Sequence, residues 1–229
     1  MLYRFVYHIL LPLGIMPLFR LFNRLVITGR ENIPEQGSVV IIANHISSWD
    51  SVLLYSIIRR EAYFMAKVEL FQIPLLGPFL RRIHVFPVKR DTVDRTALRT
   101  AAKVLEDGHV LAIFPEGHRS KTGELLPFKP GAALFAHRAQ APVIPVLFEN
   151  TPKAFPKSIW QKVRVSVGEP LDLSSFYSQK ANSALLGEMT DVLRQGIVQL
   201  KPGADAVQSD TIAEHVGAEQ MNVEQPNAL

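Results

Sequence analysis

Two short polar segments, each placed directly after an apolar run, contain the side chains best suited to chemistry. The first reads Asn44-His45-Ile46-Ser47-Ser48-Trp49-Asp50, with a histidine and an aspartate five positions apart. A carboxylate within hydrogen-bonding reach can fix the tautomer of an imidazole and stabilise its protonated form, so that His45 could act as a general base. The alternative is that Asp50 is the N-cap of a helix and His45 is a turn residue.

The second polar segment reads Phe114-Pro115-Glu116-Gly117-His118-Arg119-Ser120. A glycine at position 117 allows the backbone to approach a ligand closely, and the planar guanidinium of Arg119 suits a phosphate group. Taken alone, Pro-Glu-Gly would be a turn and Arg119 a surface charge.

Both segments follow runs that predict β-strands, and strand ends that open into loops are where α/β folds place functional groups. Several of the runs are continuously apolar, which is typical of strands covered on both faces. Seven such runs occur, at residues 25–29, 38–44, 62–66, 83–88, 109–114, 142–148 and 162–167.

Three helices are predicted between and after these strands, at residues 91–107, 130–140 and 182–200. We expect Asp91 or Thr92 to cap the first helix at its start and Gly108 to end it, and we expect Pro130 at the first position of the second. Strands that alternate with helices predict an α/β fold, a layered sheet of largely buried strands flanked by helices.

Residues 5–19, FVYHILLPLGIMPLF, carry no formal charge and lie between Arg4 and Arg20. As a helix the run would be about 22 Å long, shorter than the ~30 Å hydrocarbon core of a bilayer, and Pro12 and Pro17 predict breaks in it. Two interpretations remain: an N-terminal membrane-engaging helical arm over residues 1–24, which the basic flanks favour, or an apolar arm packed on the domain.

The remaining chain divides by charge into a basic domain at 25–202 and an acidic tail at 203–229, which we expect to be disordered. All 25 Lys and Arg residues lie within residues 1–202, whereas five of the 21 acidic residues follow, so the first 202 residues carry nine excess positive charges. Such a charge favours anionic partners: phosphate esters, an acidic membrane surface, an acidic carrier protein or nucleic acid. The absence of cysteine excludes disulfides and thiolate nucleophiles.

Four segments, taken in order, resemble the four blocks of the glycerolipid acyltransferase family. They are NHxSxxD at 44–50, VFPVKR ending at Arg90, FPEGHRS at 114–120 and PVIPV at 142–146. YFMAKVEL, which contains Lys67, and FKPGAALFA at 128–136 also look like family segments, and the N-terminal run is similar to the membrane-engaging helices of bacterial members. His118 stands where the family usually has threonine, and Lys89 where an aspartate often precedes the arginine.

The resemblance implies transfer of an acyl chain from a thioester, acyl-carrier protein or acyl-coenzyme A, to the free hydroxyl of lysophosphatidic acid, giving phosphatidic acid. It implies no cofactor and no metal, an anionic membrane surface as partner at the cytoplasmic face of the cell membrane, and no nucleic acid. Another acceptor, either glycerol 3-phosphate or a different lysophospholipid, stays open, as does a catalytically idle lipid-binding protein of the same fold.

The same resemblance suggests roles for single residues. His45 would be the base and Asp50 its partner, and Lys67 or backbone N–H groups near Arg119 and Ser120 would stabilise the oxyanion. The substrate-binding residues implied are Arg90 and Arg119 for the acceptor phosphate, Glu116 for the loop or the acceptor glycerol, and Gly117 and Ser120.

Overall fold

The computed structural model describes residues 2–89, 94–154, 157 and 160–202, and within these ranges seven strands form one sheet. The strand order is β1-β7-β6-β2-β5-β3-β4, and every neighbouring pair is parallel except β6 and β7. All seven predicted strands are present within one or two residues of their expected ends. They are β1 Val26–Thr28, β2 Val39–Ala43, β3 Ala62–Lys67, β4 Val85–Val88, β5 Val110–Ile113, β6 Val143–Glu149 and β7 Arg164–Val167.

Helices cover both faces of the sheet. The α-helices in the described ranges are α1 Leu2–Phe5, α2 Met16–Asn23, α3 Ser48–Ile57, α4 Leu76–Arg82, α5 Arg95–Glu106, α6 Gly131–Ala139, α7 Ser174–Tyr177 and α8 Ser183–Val198, with a π-helix at Val6–Ile15. Short 3-10 turns lie at Arg30–Asn32, Val68–Gln72 and Thr151–Lys153.

The three predicted helices are α5, α6 and α8, each shorter than expected at both ends. Helix α5 is capped by Asp94, whose carboxylate accepts hydrogen bonds from the backbone of its first turn. Among the described residues α5 begins at Arg95, whereas the expected start was residue 91; the expected caps Asp91 and Thr92 lie outside the described residues. Pro130 precedes the first residue of α6 instead of occupying it.

The central strand β2 is fully buried because its alternate side chains enter two separate cores. Val39 and Ile41 pack with α3 and the N-terminal helices on one face, and Val40 and Ile42 pack with α5, α6 and α8 on the other. A strand covered on both faces needs apolar residues at every position, which explains the continuous apolar run in the sequence.

The N-terminal helices remain continuous through both prolines, so the expected breaks are wrong. Pro17 is the second residue of α2, next to the point at which the π-helix gives way to the α-helix. Pro12 lies within the π-helix, whose hydrogen bonds already depart from the α-helical pattern. No helix in the described ranges has the length and apolar character needed to cross a bilayer.

One face of these N-terminal helices belongs to the core. Val6, Leu11, Met16 and Phe19 are buried, and the fully buried ring of Phe19 meets Trp49 of α3 edge-on with centroids 4.9 Å apart. The packed arm of the second interpretation is therefore observed. The other face is apolar but exposed: its side chains, those of Phe5, Ile9, Leu10, Leu13 and Leu21, are 41% to 74% exposed.

We predict that Phe19→Ala lowers the free energy of unfolding by about 3–5 kcal/mol, because it leaves a cavity between α2 and α3. Urea denaturation followed by circular dichroism measures the change. The matched control is Leu13→Ala on the exposed face of the arm, which should change stability by less than about 0.5 kcal/mol. Equal effects of the two substitutions would show that the arm does not pack as described.

Candidate active site

The two polar segments meet at one edge of the sheet. His45 follows β2 and the segment at 114–120 follows β5, and these two strands are parallel neighbours. Lys67 ends β3, which lies on the other side of β5. Because the carboxyl ends of parallel strands lie at the same edge, side chains far apart in sequence converge there.

His45 and Asp50 form the hydrogen-bonded pair that their spacing predicts. The imidazole Nδ1 lies 3.0 Å from Asp50 Oδ2, and the aspartate side chain is fully buried. An anionic acceptor at Nδ1 selects the tautomer with its proton on that nitrogen, which leaves Nε2 able to accept a proton. The His45 ring, stacked on Phe114 with centroids 4.2 Å apart, keeps a side-chain exposure of 14%.

Asp50 also organises the start of α3, but from the third helical position and not as the N-cap that the alternative interpretation of the sequence expected. Ser47, not Asp50, is the N-cap, and its hydroxyl accepts a hydrogen bond from Trp49 N. Asp50 Oδ2 accepts from Ile46 N at 2.6 Å and Ser47 N at 2.7 Å, which completes a capping box. One carboxylate therefore both caps the helix and holds the histidine.

Glu116 ties the loop after β2 to the loop after β5. Its Oε1 accepts a hydrogen bond from His45 N at 2.7 Å, and its Oε2 accepts from Leu126 N at 3.0 Å. Burial raises the pKa of the Glu116 carboxyl, although the two backbone donors and His45 act in the opposite direction. Both oxygens are engaged by the backbone, so the geometry places Glu116 as the support of the loop.

Ser120 and Gly117 also shape this loop. Ser120 N donates to His45 O at 2.7 Å, and its hydroxyl accepts from Gly123 N at 3.1 Å. The Ser120 N–H is thus engaged, which argues against its expected role as an oxyanion donor. Gly117 has a φ of +76°, and a Cβ at this position would lie only 3.1 Å from Lys129 Cε.

Two of the cations predicted for the site, Arg119 and Lys67, line the same cavity as His45. Arg119 is exposed, and its Nη1 donates to Ser48 Oγ at 2.8 Å at the start of α3. Lys67 Nζ lies 3.6 Å from Glu69 Oε1, and its side chain is 42% exposed. Arg90, the other arginine expected to bind phosphate, lies outside the described residues.

His45 and Lys67 lie where two cavities adjoin. The larger is an open cleft of about 1700 Å³ with a cationic lining, formed in part by Lys67, Arg119, Lys121, Lys153 and Lys201. The smaller, of about 480 Å³, lies between α5, α6 and the sheet and is mainly apolar. Its lining includes Met65, Leu98, Ile113, Phe114, Leu134, Phe135 and Leu186.

Two supporting residues of the site were not assigned a role from sequence. Thr151, buried beyond the end of β6, donates its hydroxyl proton to Asp50 Oδ1. Asn44 joins β2 to β6, because its side chain donates to Phe148 O at 3.0 Å and accepts from Phe148 N at 2.7 Å. The pairing of β2 with β6 brings these groups together, and that pairing has no local sequence signal.

A metal centre was not expected, and the described ranges contain no group of three or more His, Cys, Asp or Glu side chains arranged to hold an ion.

Comparison with known proteins shows that the chain is similar to members of one family. Residues 24–149 match the family model described as Acyltransferase. A 1-acyl-sn-glycerol-3-phosphate acyltransferase of Bacillus subtilis is 33% identical over 181 residues, covering 77% of this chain and 88% of that protein. One from Borreliella burgdorferi is 32% identical over 138 residues, which is 59% of this chain and 55% of that protein.

A solved structure agrees with the fold. The crystal structure of the 1-acyl-sn-glycerophosphate (LPA) acyltransferase PlsC from Thermotoga maritima aligns with a TM-score of 0.66 at 28% identity. The alignment covers 87% of this chain and 81% of that chain.

We predict that Glu116→Gln lowers the free energy of unfolding by about 1–3 kcal/mol. A carboxamide accepts through one oxygen only, so one of the two backbone N–H groups would face an NH₂ group. The matched control is Glu124→Gln, an exposed glutamate of the same loop, with an expected change below about 0.5 kcal/mol. If urea denaturation gives the same loss for both variants, Glu116 does not hold the loop through both oxygens.

Proposed function

The chain belongs to the acyltransferase family, and from this premise we propose that it acylates the free hydroxyl of lysophosphatidic acid to give phosphatidic acid. The relatives named above are 1-acyl-sn-glycerol-3-phosphate acyltransferases. The observation that supports the proposal most directly is the His45–Asp50 pair, placed where a cationic cleft adjoins an apolar cavity. A phosphorylated acceptor suits the first cavity and an acyl chain suits the second.

His45 is the general base of the proposed reaction. An alcohol is a poor nucleophile at neutral pH, so a base must remove its proton as the oxygen attacks the thioester carbonyl. Nε2 of His45 takes that proton, since Nδ1 is held by Asp50. The tetrahedral intermediate then breaks its carbon–sulfur bond, and the proton passes from His45 to the departing thiolate. The acyl group reaches the acceptor directly, without an acyl-enzyme.

Lys67 is the proposed donor to the oxyanion. Its side chain lines both cavities beside His45, and the Ser120 N–H that was considered for this role already donates to His45 O. An ammonium beside the carbonyl oxygen stabilises the negative charge that develops in the intermediate.

Arg119 is the proposed ligand of the acceptor phosphate, together with Arg90 from the sequence prediction. Its hydrogen bond to Ser48 Oγ holds the guanidinium over the cleft, next to the start of α3. Charge-assisted hydrogen bonds from a guanidinium fork to phosphate are among the stronger polar contacts in proteins. Lys121, Lys153 and Lys201 on the cleft lining add positive potential that attracts an anionic substrate.

The apolar cavity is the proposed site of the acyl chain. It begins at His45 and Phe114 and continues between α5 and α6, so a thioester carbonyl at His45 could extend its chain inward. The proposed acyl donor is acyl-carrier protein or acyl-coenzyme A, because both carry the acyl chain through the same kind of thioester bond.

We also propose that the chain works at an anionic membrane surface, at the cytoplasmic face of the cell membrane. The exposed apolar face of the N-terminal helices and the basic residues that flank it, Arg20 and Arg24 among them, suit an interfacial position. An acceptor with a fatty chain resides in such a surface.

We predict that His45→Ala lowers acyl transfer by about 10²–10⁴-fold and that Asp50→Asn removes most of the activity. The assay uses purified full-length protein, both thioester donors, and lysophosphatidic acid or glycerol 3-phosphate as acceptor. The matched control is His109→Ala, because His109 precedes β5 at the opposite edge of the sheet. Retention of more than about a tenth of the activity by His45→Ala would contradict the base role.

We predict that Arg119→Ala raises the KM for lysophosphatidic acid by about tenfold or more, with a much smaller change in the KM for the thioester. For a monoacylglycerol acceptor, which lacks the phosphate, the same substitution should change the KM little. Arg138→Ala, an exposed arginine on α6, is the charge-matched control. An equal rise in KM for the phosphorylated and the unphosphorylated acceptor would show that Arg119 does not bind the phosphate.

A further inference from the structure

The turn that leads into α4, here called the apolar turn (residues 70–76), presents large apolar side chains to solvent. Leu70 is 36% exposed, Ile73 46% and Leu75 88%. Single exposed leucines are common, but a cluster of them marks an interaction surface. Leu75 is the most exposed of the large apolar side chains in the described ranges.

The backbone at Leu75 is strained in a way that fixes this exposure. Leu75 has a φ of +66° and a ψ of −41°, and Leu76 N donates to Pro74 O at 2.8 Å across it. These values define a γ-turn with a positive φ at its centre, a rare conformation that residues with a Cβ disfavour. A strained backbone that is retained at a defined place is a reason to look for function there.

The apolar turn is also tightly built. Gly77 N donates to Ile73 O at 3.0 Å, and a Cβ at Gly77 would lie 2.2 Å from Phe71 O. The chain on the two sides of Leu75 is therefore in direct contact, and Leu75 is held outward by a closed loop of backbone.

Positive charge borders the apolar turn. Arg81 and Arg82 are exposed in the last turn of α4, and the Arg81 guanidinium lies over the Phe71 ring at 5.0 Å from its centroid. The nearby acid, Glu69, is 3.6 Å from the ammonium of Lys67. An apolar tip with arginines beside it is the composition of protein segments that enter the interface of an anionic bilayer.

The apolar turn lies on the same side of the sheet as the N-terminal helices. Phe79 and Ile83 pack against the core cluster that contains Val6 and Phe19, and the Tyr3 ring stacks on His84 with centroids 4.2 Å apart. Leu70, Leu76 and Leu80 also line the cationic cleft. The apolar turn thus lies at the cleft and on the same side of the sheet as the N-terminal helices.

We propose that the apolar turn inserts Leu75 and Ile73 into the interface of an anionic bilayer, as a second contact separate from the N-terminal helices. The cleft then opens toward the leaflet that holds the acceptor. This inference rests on the proposed function, because a lipid acceptor is what makes an opening toward the bilayer useful.

The first experiment places a tryptophan at the tip of the apolar turn in the full-length protein. The vesicles contain phosphatidylglycerol and phosphatidylcholine with brominated acyl chains, which quench tryptophan fluorescence. The fluorescence of the added tryptophan is the difference between Leu75→Trp and wild type, and on vesicle binding we expect this difference signal to shift to shorter wavelength and to be quenched. Gln195→Trp is the control, an exposed neutral site on α8 across the sheet, and should show neither effect. An unquenched Trp at position 75, whether or not wild type binds the vesicles, overturns the proposal.

The second experiment separates membrane contact from structure. Leu75→Gly relieves the positive φ, so its thermal midpoint should stay within about 3 °C of wild type. Partition into the same vesicles should fall about five- to tenfold, with residual binding from the N-terminal helices. Unchanged partition of Leu75→Gly overturns the proposal. The proposal is also overturned if wild type is a dimer in size-exclusion chromatography and Leu75→Gly is a monomer, because the surface would then bind a second copy of the chain.

Activity measurements distinguish this inference from the proposed function. Leu75→Gly should slow transfer to lysophosphatidic acid in vesicles and leave transfer to detergent-dispersed acceptor unchanged. A wild-type protein that is inactive in detergent contradicts the proposed function. The quenching measurement on Leu75→Trp tests membrane insertion without using enzyme activity.

Discussion

The buried carboxylate of Asp50 is the interaction on which the rest of the site depends. Removing a carboxylate from water costs several kcal/mol unless hydrogen bonds replace its hydration. Asp50 receives them from His45 Nδ1, from two backbone N–H groups of its own turn and from the hydroxyl of Thr151. These donors come from the end of β2, the start of α3 and the turn after β6. The same charge that orients the imidazole therefore also fixes how three elements meet.

Glu116 complements this arrangement from the neighbouring loop. Asp50 holds the side chain of His45, whereas Glu116 and Ser120 hold its backbone N–H and carbonyl. The base is thus restrained at its ring and at its main chain, which limits the orientations open to Nε2. Both acids are buried beneath the site, while the cations Arg119 and Lys67 face the cleft. Buried acids give rigidity, and the cations remain available to an anionic substrate.

The N-terminal helices both stabilise the core and carry the exposed apolar face that we propose meets the membrane. Phe19 and its neighbours complete the core on one face of the sheet, and the opposite side of the same helices exposes Leu13 and other apolar residues. An arm that the core requires cannot move independently of the domain. If that exposed face and the apolar turn both meet a bilayer, the orientation of the cleft relative to the lipid follows from the packing of the core.

The sequence alone determined the seven strands, the helices α5, α6 and α8, the His45–Asp50 pair and the family, because periodicity and short spacings are local properties of the chain. The tertiary structure decided what depends on strand order. Only the position of β2 between β5 and β6 brings Glu116 to His45 N, Thr151 to Asp50 and Asn44 to Phe148. The sequence also could not show that the N-terminal run is packed on one face, since both faces are apolar and burial depends on the partner surface that α3 and the sheet provide.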